Sequence, residues 1–247
     1  MPVWSTEVGD PERPLVVLIH GSMDRSAGLL KLSRRLDDRY RVMRYDRRGY
    51  GRSRPHDGPF TMDAQVADLQ QLLAGRTAVL VGHSYGGDVA LAAAQRLGPP
   101  QVHGAVVYEA PLSWRSWWPG STAGAAVTQG DVSDVAERFM TRLIGKHRWV
   151  RLPPSTRAAR RAEGPALVGE LLALRAGAPW EPQRICVPVL ALAGSAGADH
   201  HRASSRVIAG EIAAGRFAEL QGARHFGPNT HPDDVAALII DFIDSLD

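Results

Sequence analysis

Cysteine and lysine are both scarce in this chain. Its 247 residues include one cysteine, Cys186, which excludes an intramolecular disulfide and a zinc site built from several cysteines. Lys31 and Lys146 are the two lysines, so the 29 basic residues are nearly all arginine, and the formal net charge is +3. Because Cys186 lies beside an apolar, strand-like segment, we expect it to be a small buried hydrophobic residue.

The chain also lacks long runs of apolar residues or of positive charge. No apolar stretch approaches the roughly 20 residues that a helix needs to cross a bilayer, and residues 1–10 lack the layout of a signal peptide. The arginines are scattered among acidic residues, which argues against a nucleic-acid partner. We therefore expect a cytoplasmic protein with neither a membrane nor a nucleic-acid partner, and the sequence leaves a homodimer open.

Apolar runs alternate with segments of helical spacing along most of the chain. Continuous runs such as Leu15–Ile19 are typical of parallel strands covered on both faces, and apolar residues three or four apart are typical of helices. Strands are predicted at Leu15–Ile19, Tyr40–Tyr45, Ala78–Val81, Val102–Tyr108, Val189–Ala193 and Arg216–Leu220, and helices around Leu29–Leu36, Val66–Leu73, Asp88–Leu97, Arg202–Ala214 and Val235–Leu246. This alternation predicts an α/β fold with a doubly wound, mostly parallel sheet.

The alternation stops between about Leu112 and Gln183. We interpret residues 112–183 as a small helical cap inserted into a core domain formed by residues 1–111 and 184–247. Five of the six tryptophans fall in this insertion. They either anchor it by packing or line an apolar pocket. The candidate substrate-binding residues among them are Trp114, Trp117 and Trp118.

The segment Gly82-His83-Ser84-Tyr85-Gly86 carries the strongest chemical signal. A Gly-x-Ser-x-Gly pattern between a strand and a helix predicts a sharp turn that presents the serine as a nucleophile. Side chains at the two glycine positions would collide in such a turn, and the helix N-terminus places backbone N–H groups beside the serine. The alternative is that Ser84 only caps the helix.

A serine hydroxyl is a weak nucleophile until a base removes its proton. His225 lies in the loop Gly222–Gly227, between the last predicted strand and the final helix, where such a base is expected. Other histidines belong to other motifs or lie near predicted helix starts: His20, His83, His200, His201 and His231. The sequence therefore predicts His225 as the general base.

An acyl-transfer intermediate also needs N–H donors for its oxyanion. One predicted donor is the backbone N–H of Tyr85, directly after the serine. The other is the backbone N–H of Ser22, in the loop that follows the first apolar strand, where Gly21 allows the chain to turn. The alternative for this loop is an ordinary turn at the end of a strand.

Together these motifs resemble the α/β-hydrolase superfamily, and in particular its capped members. The resemblance also rests on the loop Asp46–Ser53, which has the pattern Asp-x-Arg-Gly-x-Gly-x-Ser, and it covers the chain from about Val3 to the C-terminus except the insertion. It implies the α/β-hydrolase fold, and it implies that Asp46 and Arg48 hold their loop near the site.

The resemblance implies an acidic residue that orients the histidine, and two residues compete for this role. In most of the family the acid closely follows the strand that here is Val189–Ala193, but in this chain Asp199 comes late and could cap the next helix. Glu109 ends the strand Val102–Tyr108, which looks like the equivalent strand of haloalkane dehalogenases, some of which carry their acid there. We favour Glu109 and keep Asp199 as the alternative.

These residues predict a serine hydrolase that forms an acyl-enzyme from an ester, thioester or lactone of a small apolar substrate. The same residues could serve carbon–carbon bond hydrolysis, perhydrolysis, acyl transfer or cyclisation. Epoxide opening and dehalogenation are disfavoured, because family members that catalyse these reactions commonly use a carboxylate where this chain has Ser84. A ligand-binding protein with little turnover is the alternative from another class. The sequence implies neither a metal nor an organic cofactor.

Overall fold

The computed structural model describes residues 2–119 and 131–246, and it contains a seven-stranded sheet in the order β1-β3-β2-β4-β5-β6-β7. β1 is antiparallel to β3, and the other neighbouring strands are parallel. The strands are β1 (Ser5–Val8), β2 (Leu15–Ile19), β3 (Arg41–Tyr45), β4 (Ala78–His83), β5 (Val102–Tyr108), β6 (Val189–Gly194) and β7 (Gly215–Leu220).

Helices cover both faces of the sheet. They are α1 (Leu30–Leu36), α2 (Met62–Leu73), α3 (Tyr85–Leu97), α8 (Asp199–Glu211), α9 (Gly227–Thr230) and α10 (Pro232–Asp244). Alternate residues of the buried strands pack on opposite faces, as the pleat requires. In β2, for example, Val17 belongs to the core cluster that includes residues of α2, α3 and α8, whereas Val16 and Leu18 belong to the cluster that includes residues of α1 and α10. The predicted doubly wound α/β fold is therefore confirmed.

Between β5 and β6 the described residues form four α-helices: α4 (Val132–Ile144), α5 (Lys146–Arg151), α6 (Pro154–Arg161) and α7 (Gly164–Ala176). We call them the helical insertion. They enclose a separate cluster of buried side chains that includes Phe139, Trp149 and Leu167. Met23 and Tyr50, from loops that follow β2 and β3, pack into the same cluster. The insertion thus rests on the edge of the sheet where the parallel strands end.

The strand register brings several chain segments together at that edge. Ile19, the last residue of β2, pairs with Gly82 of β4. His83 of β4 pairs with Tyr108 of β5, and Gly194 of β6 pairs with Leu220 of β7. The loops that follow these strands therefore begin side by side, at the edge where ligands bind in open α/β sheets.

Most predicted elements are present, with shifted ends. α3 begins at Tyr85 rather than Asp88, so Gly86 and Gly87 lie in its first turn. α8 begins at Asp199 rather than Arg202. β1 was not predicted, because Ser5–Val8 is short and only half-buried and so lacks an apolar signal.

The prediction that Cys186 is buried is wrong. Its side chain is exposed, whereas Ile185 and Val187 on either side are buried. In an extended segment successive side chains point in opposite directions, so burial of the two flanking aliphatic residues turns Cys186 outward. Within the described residues, no helix is both long enough and apolar enough to cross a membrane.

Candidate active site

Ser84 lies at the turn between β4 and α3, with a left-handed backbone conformation of φ 54° and ψ −127°. Such a conformation is strained for a residue with a side chain and persists only where its surroundings enforce it. The turn packs tightly, since a Cβ atom on Gly86 would lie 2.2 Å from the carbonyl oxygen of Ile19. This geometry is that of the strand-to-helix turn predicted from the sequence.

His225 lies in the loop between β7 and α9 and reaches the same edge of the sheet. Its Nδ1 atom lies 2.7 Å from Oε2 of Glu109. Its backbone carbonyl accepts a hydrogen bond of 2.7 Å from Nε2 of His83, and the hydroxyl of Tyr108 donates one of 2.8 Å to the carbonyl of Arg224. The loop is therefore held on β4 and β5 by side chains from both strands.

Glu109 follows β5 directly and is completely buried. Like Ser84 it has a positive φ, of 50°. One carboxylate oxygen faces His225, and the other accepts a hydrogen bond of 3.0 Å from the backbone N–H of Gly194. The carboxylate thus bridges the ends of β5 and β6 and holds the ring nitrogen of His225.

Asp199, the alternative acid, lies elsewhere. It begins α8 with its side chain 91% exposed, and it pairs with Arg202 on the same helix. Its position in the first turn suits the positive end of the helix dipole. Of the two acidic residues, Glu109 is the one bonded to His225.

Ser22 and Tyr85 both line a cavity into which Ser84 and His225 also open. The loop after β2 approaches the serine closely, because a Cβ atom on Gly21 would lie 2.9 Å from Cβ of Ser84. The N–H of Tyr85 belongs to the first turn of α3, where N–H groups have no partner within the helix. The two predicted oxyanion donors, the N–H groups of Ser22 and Tyr85, thus belong to residues that line the same cavity as Ser84.

His20 fixes the loop after β2 as a neutral ring. Its Nδ1–H donates to the carbonyl of Gly21 at 2.8 Å, and its Nε2 accepts from the N–H of Arg47 at 2.9 Å. Burial, followed by the nearby charge of Arg47, lowers the pKa of His20 well below its ordinary value. The ring therefore stays uncharged.

A buried ion pair connects this loop to the helical insertion. The fully buried guanidinium of Arg47 donates to the carbonyls of His20 and Gly21, and its Nη1 lies 2.7 Å from a carboxylate oxygen of Glu170 on α7. Tyr50 donates to the other oxygen of Glu170 at 2.6 Å. Burial and the adjacent carboxylate raise the pKa of the Tyr50 phenol well above its ordinary value, so it remains a donor.

A second buried carboxylate, Glu163, lies between α6 and α7. It accepts hydrogen bonds from the side chain of Arg25 at 2.8 Å, from the N–H of Gly51 at 3.1 Å and from Arg160 at 3.1 Å. Sequence reasoning missed Glu163 and Glu170, because Arg25 and Arg47, which bind them, lie more than 100 residues away along the chain. No local pattern marks Glu170, the single acidic residue of α7.

The loop Asp46–Ser53 is held in place as the resemblance implied. Asp46 accepts from the N–H groups of Ser26 at 2.7 Å and Arg52 at 2.8 Å. Arg48 makes two hydrogen bonds of 2.7 Å to the carboxylate of Asp68 on α2. These bonds place Arg47 and Tyr50 beneath α7.

The cavity has a volume of about 720 Å³ and opens between the strand ends and the insertion. Of the three tryptophans proposed to bind substrate, Trp118 lines it. Trp114 instead packs edge to face on the buried Trp180, with ring centroids 5.5 Å apart, and joins the core between sheet and helices. Trp117 is 42% exposed and packs against Trp118.

Two further histidines, which the sequence reasoning set aside, also line the cavity. The ring of His201 stacks on that of His225 at a centroid distance of 4.5 Å and an angle of 22°. Burial, and then the neighbouring His225, lower the pKa of His201 well below its ordinary value. His200 lies against Trp118.

Potential metal ligands from three residues meet at this point. Ligand atoms of Glu109, His201 and His225 lie within 4.8 Å of one another. A metal ion bound by all three would have to compete with the hydrogen bond between His225 and Glu109.

A family model described as "Alpha/beta hydrolase family" matches residues 16–238 of the chain. Among curated proteins, mouse (Mus musculus) epoxide hydrolase 4 is 32% identical over 87 residues, which are 33% of this chain and 24% of that protein. The chain therefore covers only about a quarter of the length of this relative.

Solved structures share the architecture along almost the whole chain. A thermophilic esterase from Thermogutta terrifontis has a TM-score of 0.77 and 23% identity, over 99% of this chain and 93% of the esterase. The enol-lactonase from Burkholderia xenovorans has a TM-score of 0.75 and 23% identity, over 98% of this chain and 96% of the lactonase. At such identities the likeness shows the fold.

Proposed function

The chain belongs to the alpha/beta hydrolase family, and from this premise we propose that it is a serine hydrolase for ester, thioester or lactone bonds. The observation that carries the proposal is the bond of 2.7 Å between His225 and Glu109, formed beside the strained turn that presents Ser84. A nucleophile, a base and an orienting acid are the three parts that such catalysis needs.

The proposed reaction begins when Nε2 of His225 accepts the proton of the Ser84 hydroxyl. The serine oxygen then attacks the substrate carbonyl and forms a tetrahedral intermediate, whose oxyanion accepts hydrogen bonds from the N–H groups of Ser22 and Tyr85. The bond to the leaving group breaks as His225 gives it the proton. Water, deprotonated by His225, attacks the acyl-enzyme in the same way and releases the acid and free Ser84.

Glu109 has two tasks in this scheme. Its Oε2 accepts from Nδ1–H of His225, which keeps Nε2 free to accept the serine proton. The negative charge of Glu109 also stabilises the positive ring that forms during each proton transfer. Because the N–H of Gly194 binds Oε1, the carboxylate presents Oε2 in a fixed direction.

We further propose that the helical insertion acts as a cap, within the predicted 112–183 segment. Leu143 of α4 and Leu171 and Leu174 of α7 line the same cavity as Ser84, so the insertion supplies an apolar wall. An apolar wall around a few polar groups is typical of small-molecule sites.

The partial match to epoxide hydrolase 4 suggests epoxide opening as another reaction. That chemistry is disfavoured, because family members that open epoxides commonly use a carboxylate as nucleophile, and this chain has Ser84 in the strained turn. Carbon–carbon bond hydrolysis, perhydrolysis and acyl transfer use the same serine, histidine and acid and remain alternatives. Ligand binding without turnover is the alternative of another class.

Labelling with a fluorophosphonate probe tests the proposal without knowledge of the natural substrate. The probe forms a covalent bond with activated serines, and peptide mapping by mass spectrometry identifies the residue. We expect rapid labelling at Ser84 that is lost in Ser84→Ala and at least 100-fold slower in His225→Ala. Ser155→Ala, at an exposed position of α6, is the control and should label like the wild type. A folded wild-type protein that is not labelled at Ser84 would contradict the proposal.

A further inference from the structure

Arginine side chains line the cavity beside Ser84. Among the described residues that line it, three are arginines, Arg142, Arg175 and Arg224, and none is an aspartate or a glutamate. The carboxylate of Glu109 is buried behind His225, where both of its oxygens already accept hydrogen bonds. A ligand in this cavity therefore meets the guanidinium of Arg175 without an aspartate or glutamate among the described residues that line the wall.

Of the three arginines, Arg175 has the charge that neighbouring groups compensate least. It is half-buried in the last turn of α7, and its side chain forms neither a hydrogen bond nor an ion pair with any residue in the described ranges. Burial lowers the pKa of its guanidinium, and no carboxylate opposes this effect. The C-terminal end of α7 offers only about half an elementary negative charge.

Three other half-buried or buried arginines at the insertion are paired with carboxylates. Arg47 faces Glu170, and both Arg25 and Arg160 face Glu163. Proteins rarely leave a guanidinium partly desolvated without a partner, because removing a charge from water is costly unless a counter-charge replaces the lost hydration. An anionic ligand would supply that partner for Arg175.

We propose that the substrate carries a carboxylate remote from the bond that is cleaved, and that Arg175 binds this carboxylate. The inference rests on the proposed serine-hydrolase function. One free guanidinium matches the single charge and planar shape of a carboxylate, which it can bind through two parallel hydrogen bonds.

The rest of the cavity indicates what lies between the two ends of the substrate. Phe139 of α4, Leu171 and Leu174 of α7, and Trp118 line the same cavity as Arg175 and Ser84 and give it apolar surface. A short aliphatic chain suits such a surface. The substrate class is therefore a half-ester of a dicarboxylic acid, or a lactone that bears a carboxylate. This class refines the apolar substrate expected from the sequence.

Matched esters test the preference directly. Mono-p-nitrophenyl adipate carries a free carboxylate, and methyl p-nitrophenyl adipate differs only in that this group is methylated. We expect the wild type to cleave the carboxylate ester with at least a 10-fold higher kcat/KM, mainly through a lower KM. In Arg175→Met the ratio of the two values should fall at least 10-fold, and Arg175→Lys should retain part of the preference.

Arg148→Met is the matched control, since Arg148 is an exposed arginine of the insertion that does not line the cavity. It should keep the wild-type ratio. A wild type without preference for the carboxylate ester, or an Arg175→Met variant with the full preference, would overturn the inference.

Binding to the inactive Ser84→Ala protein separates this inference from the proposed function. Titration calorimetry should show monomethyl adipate binding at least 10-fold more tightly than dimethyl adipate, and Arg175→Met in the same background should remove the difference. If this difference is present while the wild type cleaves neither ester, the carboxylate site stands and the hydrolase proposal fails. If the esters are cleaved but the difference is absent, the hydrolase proposal stands and the carboxylate site fails.

Discussion

The Nδ1 atom of His225 and the Oε2 atom of Glu109 lie 2.7 Å apart, although the two residues are 116 positions apart in the chain. The contact depends on three strands, because Glu109 follows β5, His225 follows β7, and Gly194 at the end of β6 holds the other carboxylate oxygen. The sheet register therefore sets the direction of the histidine ring.

Replacing Glu109 by glutamine should reverse the proton position on His225. The N–H of Gly194 requires an oxygen in its direction, so the new amide would present its NH₂ group to Nδ1. The ring would then carry its proton on Nε2 and could not accept the serine proton. We expect kcat/KM for p-nitrophenyl esters to fall on the order of 10⁴-fold, with the folded structure retained by circular dichroism.

Asp199→Asn is the control for this change. The Asp199 side chain is exposed and paired with Arg202, so its replacement should leave kcat/KM within about twofold of the wild type, as is usual for exposed positions. If Asp199→Asn were the slower enzyme of the two, Asp199 rather than Glu109 would be the orienting acid.

Glu170→Gln should lower the free energy of unfolding. The variant keeps the size of the side chain but leaves Arg47 charged and completely buried without its counter-ion. Breaking a buried ion pair by removing one partner costs about 3–5 kcal/mol. Urea denaturation followed by tryptophan fluorescence measures the change.

Two matched variants define the cause of that loss. Tyr50→Phe removes one hydrogen bond to the charged Glu170 and should cost about 2 kcal/mol. Asp244→Asn breaks a pair with Arg39 in which both side chains are about half exposed, and it should have no measurable effect. Equal losses in Asp244→Asn and Glu170→Gln would rule out a special role for the buried pair.

His83 should make the protein less stable in acid. Burial, and then the neighbouring His225, lower the pKa of His83 to about 3, whereas the unfolded chain has the ordinary value of about 6.5. Between these values the unfolded state binds more protons than the native state, so the free energy of unfolding falls as the pH falls from about 6.5 towards 3.

In His83→Gln the free energy of unfolding should vary less steeply with pH, by up to about 1.4 kcal/mol per pH unit. Urea denaturation at several pH values between 7 and 4 measures the slope. His103→Gln, at an exposed position of β5 away from His225, is the matched control and should leave the slope as in the wild type. If the free energy of unfolding changed with pH as steeply in His83→Gln as in the wild type, His83 would not be a source of the acid sensitivity.

The sequence predicted the sheet well wherever burial leaves a strong apolar pattern. Leu15–Ile19 and Val102–Tyr108 are strands over the predicted residues. By contrast, Ser5–Val8 was missed because an edge strand that is half-buried on both faces has no apolar pattern. Cys186 was misplaced because the direction of a single side chain depends on which neighbours are buried.

The site could be predicted only where residues share a local motif. Ser84 and its glycines lie within five residues, so their geometry can be deduced from spacing. The choice between Glu109 and Asp199 needed the register of three strands. The pairs that join the insertion to the loops, such as Arg47 with Glu170 across 123 positions, have no local signal at all.

The pair of Arg47 and Glu170 also restricts how this protein can evolve. One charge belongs to the loop after β3 and the other to the insertion, so neither segment is a self-contained module. If recombination replaced the insertion with one lacking an acid at the position of Glu170, Arg47 would keep its charge in the interior without compensation. A new insertion would therefore lower the free energy of unfolding by about 3–5 kcal/mol unless a compatible loop came with it.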